Sequence, residues 1–225
     1  MGNWLTSLSG SVSAKAELLG TDFYRRDTLR VAKELLGKIL IVRTPAGVTA
    51  GRIVETEAYS EKDPASHSFR GHTPRSSVMF GEPGVAYVYF IYGMHEMLNF
   101  VTEPRGSAGA VLIRAVEPLY GEELMLRRRK SHSRRDLTSG PGKLASAFGI
   151  RMTHNTQKLT GPKLYVYDDG FKPSRVATSP RIGISQAQKK EWRFFIPENI
   201  FVSRSVANAR STSRSKRRKS RSRDV

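Results

Sequence analysis

The sequence predicts a single folded domain of the α+β class, in which a helix is followed by antiparallel β-hairpins. Three observations carry this. A chain of 225 residues fits one globular domain with extensions and is long enough for a core without disulfide or metal staples. Leu29, Ala32, Leu35 and Leu36 fall at the spacing of an amphipathic helix. Behind them, residues 38–59 and 85–99 carry the apolar runs and turn residues of hairpins.

Residues 1–21 are expected to be a flexible lead, with structure starting at Asp22. They contain no signal peptide by charge and length, although Met1, Gly2 and Thr6 fit the permissive N-myristoylation pattern. No stretch is long and apolar enough to span a bilayer. The helix is capped by Asp27 or Thr28 and stopped at Gly37. Residues 38–43 then read as a strand, turned by Pro45, Ala46 and Gly47 into a second strand that contains R-I-V-E-T-E-A-Y at 52–59. Strand alternation assigns Ile53, Glu55, Glu57 and Tyr59 to one face, and Arg52, Val54, Thr56 and Ala58 to the other. Carboxylates are seldom buried unless paired, so this is either a surface strand or a site.

Pro64, Gly71, Pro74, Gly81, Pro83 and Gly84 break regular structure across 60–84, and a loop of that length is usually functional or mobile. It carries His67, Arg70, His72 and Arg75. The stretch from His95 to Asn99 lacks the second His of a zincin, so no metal-ligand set closes and neither metal nor cofactor is expected. Residues 85–91 form an aromatic, β-branched strand that Tyr92, Gly93 and Met94 interrupt as a hairpin tip. Tyr87 and Tyr89 share a face and suit either sheet core or a site. Tyr92 at the tip buries nothing unless something docks on it. The basic run at 124–135 is a DNA-tracking patch or a solvated helix end. Gly140, Pro141, Gly142 and Lys143 open a helix over 143–148, where Lys143 at the N-terminus suits a phosphate. Residues 192–196 read as a closing core strand.

Composition narrows the partner. The absence of Cys excludes disulfides, Cys-ligated zinc, iron–sulfur clusters and thiol nucleophiles. A net charge of +18 points to a polyanion, with nucleic acid ahead of an anionic membrane surface. Residues 205–225 contribute +7 of it through eight Lys or Arg and one Asp, so the body keeps +11. That Ser/Arg-rich tail has no apolar periodicity and is expected to be disordered; Lys216, Arg217, Arg218 and Lys219 suit a nuclear-localisation patch or a polyanion tether. The expected location is cytoplasm or nucleoid in a bacterium, and the nucleus, through the tail, in a eukaryote. A basic body, a carboxylate beside Tyr and an aromatic at a protruding tip suit an enzyme that extrudes a base from duplex DNA, stacks it and fills the gap.

Five blocks in order, R-I-V-E-T-E-A-Y, H-S-F-R-G-H-T-P-R with M-F-G-E-P-G, Y-V-Y-F-I-Y-G-M-H-E-M-L-N, V-L-I-R-A-V-E-P-L and G-P-G-K-L, followed by S-P-R-I-G-I, closely resemble the alkyladenine (3-methyladenine) DNA glycosylase family over residues 22–204. The resemblance implies an α+β domain with a curved antiparallel sheet and a protruding Tyr hairpin, surrounded by helices and long loops. It implies a monofunctional enzyme of base excision repair, expected to be monomeric, acting on double-stranded DNA that contains alkylated or deaminated purines, with no membrane partner. It assigns Glu57 as the catalytic base, and Tyr59, His67 and Tyr89 as the groups that sandwich and hydrogen-bond the flipped base. Tyr92 becomes the intercalating plug, Asn99 the residue that crowds the amine of normal guanine, and Arg114 an active-site Arg near the flipped nucleotide's backbone. Arg75 and Lys143 are candidates for the DNA backbone.

These roles make chemical sense. Hydrolysis of an N-glycosidic bond builds oxocarbenium character, which one carboxylate can stabilise while activating water. A cationic alkylated purine stacks well on Tyr faces and leaves without an acid, so a second carboxylate is not required; Glu55 is expected to be structural and Glu55→Gln mild. The competing reading, a non-catalytic nucleic-acid-binding module, keeps the basic surface and stacking aromatics but has no use for Glu57. Deleting residues 205–225 should weaken binding to all duplexes alike and flatten its salt dependence without changing lesion preference. Binding titrations over a salt series check this, and lost discrimination between damaged and normal DNA would place the tail in the site.

Overall fold

The computed structural model describes residues 16–91, 93–131 and 133–203. Tyr92, the expected lead up to residue 15 and the tail from 204 onward lie outside the described residues. Regular structure begins earlier than Asp22. Strand β1 (Glu17–Leu18) pairs with β7 (Leu164–Asp168), and Leu19, only 8% exposed, joins the core. An apolar pair just ahead of a helix was too short a signal to separate from the polar lead.

Helix α1 (Thr21–Tyr24) leads into α2 (Thr28–Glu34). The Asp27 side chain accepts from the Arg30 N–H at 2.8 Å, which satisfies one of the free donors of the first turn. The end follows from Gly37, whose φ of +91° favours a residue without a Cβ. Val31, Ala32, Leu35 and Leu36 are buried against the sheet. Strand β2 (Ile39–Thr44) turns through Pro45 and Ala46 into β3 (Gly47–Ser60), which pairs with β2 from Thr44↔Gly47 to Ile39↔Arg52.

All the strand pairs are antiparallel, and the sheet runs β1-β7-β2-β3-β6-β5-β4, with β4 (Ala86–Ile91), β5 (His95–Thr102) and β6 (Gly109–Tyr120) forming one wing. Strand β9 (Arg193–Phe195) also pairs with the second half of β3 and with β8 (Ala177–Ser179). The closing strand expected at 192–196 is therefore present, with Phe194 1% exposed in the core. The rest of that core comes from α2, from the first side of the sheet and from α4 (Pro141–Phe148), which with α3 (Glu122–Arg129) covers the sheet after β6. The loop at 60–84 is less irregular than its Gly and Pro content suggests. It contains two 3-10 turns, His67–Arg70 and Ser77–Phe80, because Ser side chains bond back to the backbone there, as Ser66 Oγ does to the Ser68 N–H.

The alternation expected along β3 fails at one point. Ile53 pairs with Val116, Glu55 with Ala115 and Thr56 with Ile113, so Val54 is extra on β3 and Arg114 is extra on β6. A bulge turns two consecutive side chains to one side. Ile53 therefore packs in the main core with Ala58, Ile113 and Val116, while Val54 joins Ala115 and Phe201 on the opposite side. Ile53 does not share a face with Glu55 and Glu57. The two bulges offset each other, and pairing resumes from Thr56↔Ile113 to Ser60↔Gly109.

Edge strand β4 is covered over its first half, where Ala86 exchanges backbone bonds of 2.8 Å with Thr156 and Gln157 and the Val88 N–H meets Asn155 Oδ1 at 3.0 Å. Beyond this, Phe90 is 47% and Met94 66% exposed.

Gly109 tests the packing that joins α2 to this wing. Thr28 Oγ1 bonds Thr102 Oγ1 at 2.8 Å and Glu103 Oε1 at 2.7 Å, and a Cβ at 109 would meet Thr28 Oγ1, Thr102 Oγ1 at 2.6 Å and Glu103 Cγ at 2.7 Å. Gly109→Ala should cost about 1–3 kcal/mol, the usual range for overpacking. Urea unfolding measures it, and an unchanged midpoint would refute the tight contact.

Candidate functional site

One cavity of about 510 Å³ gathers most of the sequence-derived site residues: Tyr59, His67, Tyr89, Asn99 and Arg114 all line it. The sheet register explains why they meet. Tyr87 on β4 pairs with Asn99 on β5, Asn99 with Leu112 on β6, and Leu112 with Glu57 on β3. Since paired residues point to the same side of a sheet, this row crosses four strands under one opening. The roof comes from residues 64–67 and 182–186.

Glu57 lies at the end of this row, wholly buried behind the wall rather than lining the opening. Its Oε2 accepts from the Tyr59 hydroxyl at 2.8 Å and faces Arg114 Nη1 at 3.2 Å. Its Oε1 accepts from the Ile182 N–H at 2.8 Å. A buried carboxylate needs such partners, since an unpaired charge there costs several kcal/mol. Burial raises the Tyr59 hydroxyl well above its ordinary value, and the Glu57 charge adds to the effect, so Tyr59 stays a donor.

His67 Nδ1 bonds the Tyr87 hydroxyl at 2.8 Å, and its ring meets Tyr89 edge-on with centroids 4.7 Å apart. Burial, assisted by the Arg75 charge, pushes the imidazole down to about 4, which leaves it neutral at pH 7. Asn99 Nδ2 donates to the Tyr87 carbonyl at 3.1 Å, which holds its amide at the wall. Arg75 sits over the Tyr89 ring at 5.0 Å and donates to the Phe90 carbonyl at 2.9 Å. It is exposed and does not line the cavity, and its contact with Phe90 lies near the outer end of β4.

Arg114 lies between Glu57 and Glu55 and is only 6% exposed. Burial alone would favour losing its proton, but both carboxylates raise its affinity for it. Lys143, at the first turn of α4, forms an exposed ion pair with Asp136 at 3.1 Å. It borders a smaller basic cleft with Arg135 and Gly140, whose far wall includes Arg114. The run at 124–135 is divided: Arg128 is tied to Thr44 Oγ1 at 2.6 Å, whereas Arg134 pairs with Glu122 at 2.7 Å on the surface. Among the described residues no group of three or more His, Asp or Glu gathers as a metal-ligand set.

Sequence reading missed Arg181 and Asp63. Arg181 is 5% exposed, donates to Asp63 and to the Ala58 carbonyl, and lies 4.6 Å from the centroid of the Tyr59 ring. It thereby ties the roof to β3 beside Ile182. The S-P-R-I-G-I run was the available signal, but an Arg in a Gly- and Pro-flanked loop reads as surface. Arg193 and Ser203 were also missed, because the Glu55 carboxylate they serve lies 138 and 148 residues away along the chain.

A family model described as methylpurine-DNA glycosylase matches residues 22–200. The chain is similar to several curated proteins named "Putative 3-methyladenine DNA glycosylase". That of Rhodopseudomonas palustris (strain BisB18) is 49% identical over 189 residues, 84% of this chain and 92% of the relative. That of Chlorobium phaeobacteroides (strain BS1) is 46% identical over 190 residues, 83% and 96% of the two chains. That of Methanocella arvoryzae (strain DSM 22066 / NBRC 105507 / MRE50) is 47% identical over 193 residues, again 83% and 96%.

The depressed imidazole gives a direct test. His67 should titrate near 4 rather than near the ordinary value of about 6.5. The unfolded chain then binds this proton first as pH falls, so the stability it confers is complete above about 6.5 and is lost on the way down to about 4. A two-dimensional NMR titration of the imidazole reports the midpoint. A value near 6.5 would mean that the ring is solvated and the cavity open.

Proposed function

Since this chain belongs to the methylpurine-DNA glycosylase family and so is a DNA glycosylase of DNA repair, we propose that it flips damaged purines out of duplex DNA and hydrolyses their N-glycosidic bond with Glu57 as general base. The observation that carries the reading is the buried Glu57 carboxylate, with a hydroxyl, a guanidinium and an amide N–H on it, at the wall of a Tyr- and His-lined cavity.

Oε1 accepts from the Ile182 N–H and retains a lone pair that can accept from a water. Water adds to C1′, its proton passes to Glu57, and the electrons of the glycosidic bond leave with the purine. An alkylated cationic purine takes them without a proton donor. Before that proton arrives, the negative charge of Glu57 opposes the positive charge that develops on the sugar.

The cavity suits a flat base of either charge. Tyr59 and Tyr89 offer faces for stacking, and a cationic purine gains from them in addition. A neutral His67 adds no positive charge against such a base. With Nδ1 engaged by Tyr87, Nε2 is the nitrogen left for the base edge. Asn99 at the wall crowds the exocyclic amine of normal guanine. Tyr92, which follows Ile91 in the sequence, takes the place of the extruded base, and the Lys143 cleft receives a flanking phosphate, where a helix N-terminus and a cation act together.

Glu57→Gln keeps the shape and removes the proton acceptor. Single-turnover excision of a neutral deaminated purine should fall by about 10²- to 10⁴-fold, the range of general-base catalysis, with duplex affinity preserved. Excision near the wild-type rate would overturn Glu57 as the base.

A further inference from the structure

Glu55 takes no part in the chemistry above, yet its carboxylate is more heavily bonded than that of Glu57. Its Oε1 accepts from Arg193 Nε at 2.7 Å, Arg114 Nε at 2.9 Å and Ser203 Oγ at 2.7 Å, and Oε2 accepts from the Ser203 N–H at 2.7 Å. Arg193 also donates to Ser179 Oγ at 2.9 Å and to the Ser203 carbonyl at 3.1 Å. Glu55 is wholly buried, Arg193 1% exposed and Ser203 6% exposed. Burial pushes the Glu55 carboxyl up, but Arg114, Arg193 and the Ser203 bonds outweigh it and hold the group below the usual carboxylate range.

The geometry of Arg114 gives this network a use beyond folding. Its guanidinium is a rigid plane with donors in a fixed fork. Nε is held by Glu55 at 2.9 Å and Nη2 reaches Ser203 Oγ at 3.4 Å. With those two positions fixed, the remaining Nη1 is held in ion-pair contact with Glu57 Oε2, 3.2 Å away. The offset bulges at Val54 and Arg114 bring Arg114 and Glu55 to the same side, so no flexible segment intervenes.

We propose that Glu55, braced by Arg193 and Ser203, is a positioning residue that orients Arg114 and through it the Glu57 carboxylate. The proposal rests on Glu57 being the base. It makes the segment ending at Ser203 part of the working site, although Ser203 and Glu55 are 148 residues apart. That segment is anchored by Phe201, 1% exposed against Val54 and Ala115.

The test uses the full chain with Glu55→Gln, Ser203→Ala and Glu57→Gln. Single-turnover excision of a neutral deaminated purine is followed across pH, beside duplex affinity and thermal unfolding. In contrast to the mild effect expected from the sequence, Glu55→Gln should bind duplex normally and excise about 10- to 100-fold more slowly, the scale expected for a misplaced catalytic group. Its rate-against-pH profile should depart from that of the wild type, because one of the two negative charges sharing Arg114 is gone. Ser203→Ala, which keeps the backbone bond, should show a smaller loss of rate without loss of affinity, and it decides the matter if Glu55→Gln does not fold. A purely architectural cluster would lower the unfolding temperature while rate and pH profile in the folded range stayed at wild type. That result, with Glu57→Gln inactive, overturns the positioning role alone. Wild-type turnover by Glu57→Gln overturns both readings.

Discussion

Four buried charged side chains packed together are the condition that the rest of this site has to satisfy. Glu55 and Glu57 leave β3 on the same side, and both are wholly buried. Two like charges at that separation would repel and would each lose hydration. Arg114 from β6 and Arg193 from β9 supply the matching positive charges. Each demands more donors and acceptors, which come from Ser203, Ser179 and the Ile182 N–H. The late strand β9, the roof and the segment ending at Ser203 can all be understood as answers to this one requirement.

The two carboxylates end up in different surroundings. Glu55 faces only protein and is saturated by Arg and Ser donors. Glu57 has Tyr59 and Arg114, both of which line the cavity, as neighbours. Tyr59 is backed in turn by Arg181, whose charge is matched by Asp63. Residues that meet the ligand volume are thus supported from behind by a neutralised pair.

Local signals made much of this legible. The helix at 28–34, the 39–60 hairpin and the aromatic strand at 86–91 were visible because their apolar spacing and their caps or turns agree. The grouping of Glu57, Tyr59, His67, Tyr89, Asn99 and Arg114 was available through resemblance, since their blocks lie up to 57 residues apart and no periodicity connects them. The displacement of Ile53 was not legible, because a bulge depends on the partner strand and leaves no mark on alternation. Nor were Arg193 and Ser203, since a fully buried Arg looks like any surface Arg until its carboxylate is known. The strand at Glu17–Leu18 was hidden for a different reason, having only two residues and relying on β7 for its pairing.

The paired bulges of β3 and β6 have a consequence for how this chain can change. Val54 and Arg114 are each one residue more than a regular ladder would hold, and between Ile53↔Val116 and Thr56↔Ile113 both strands advance by the same amount. Shortening either strand there by one residue would leave the other's surplus uncompensated. Every later pair, including the one that sets Glu57 opposite Leu112, would then slip by one and turn to the wrong side. Chain length at these two positions is therefore constrained jointly: a residue removed from one strand alone shifts the register that sets Glu57 opposite Leu112.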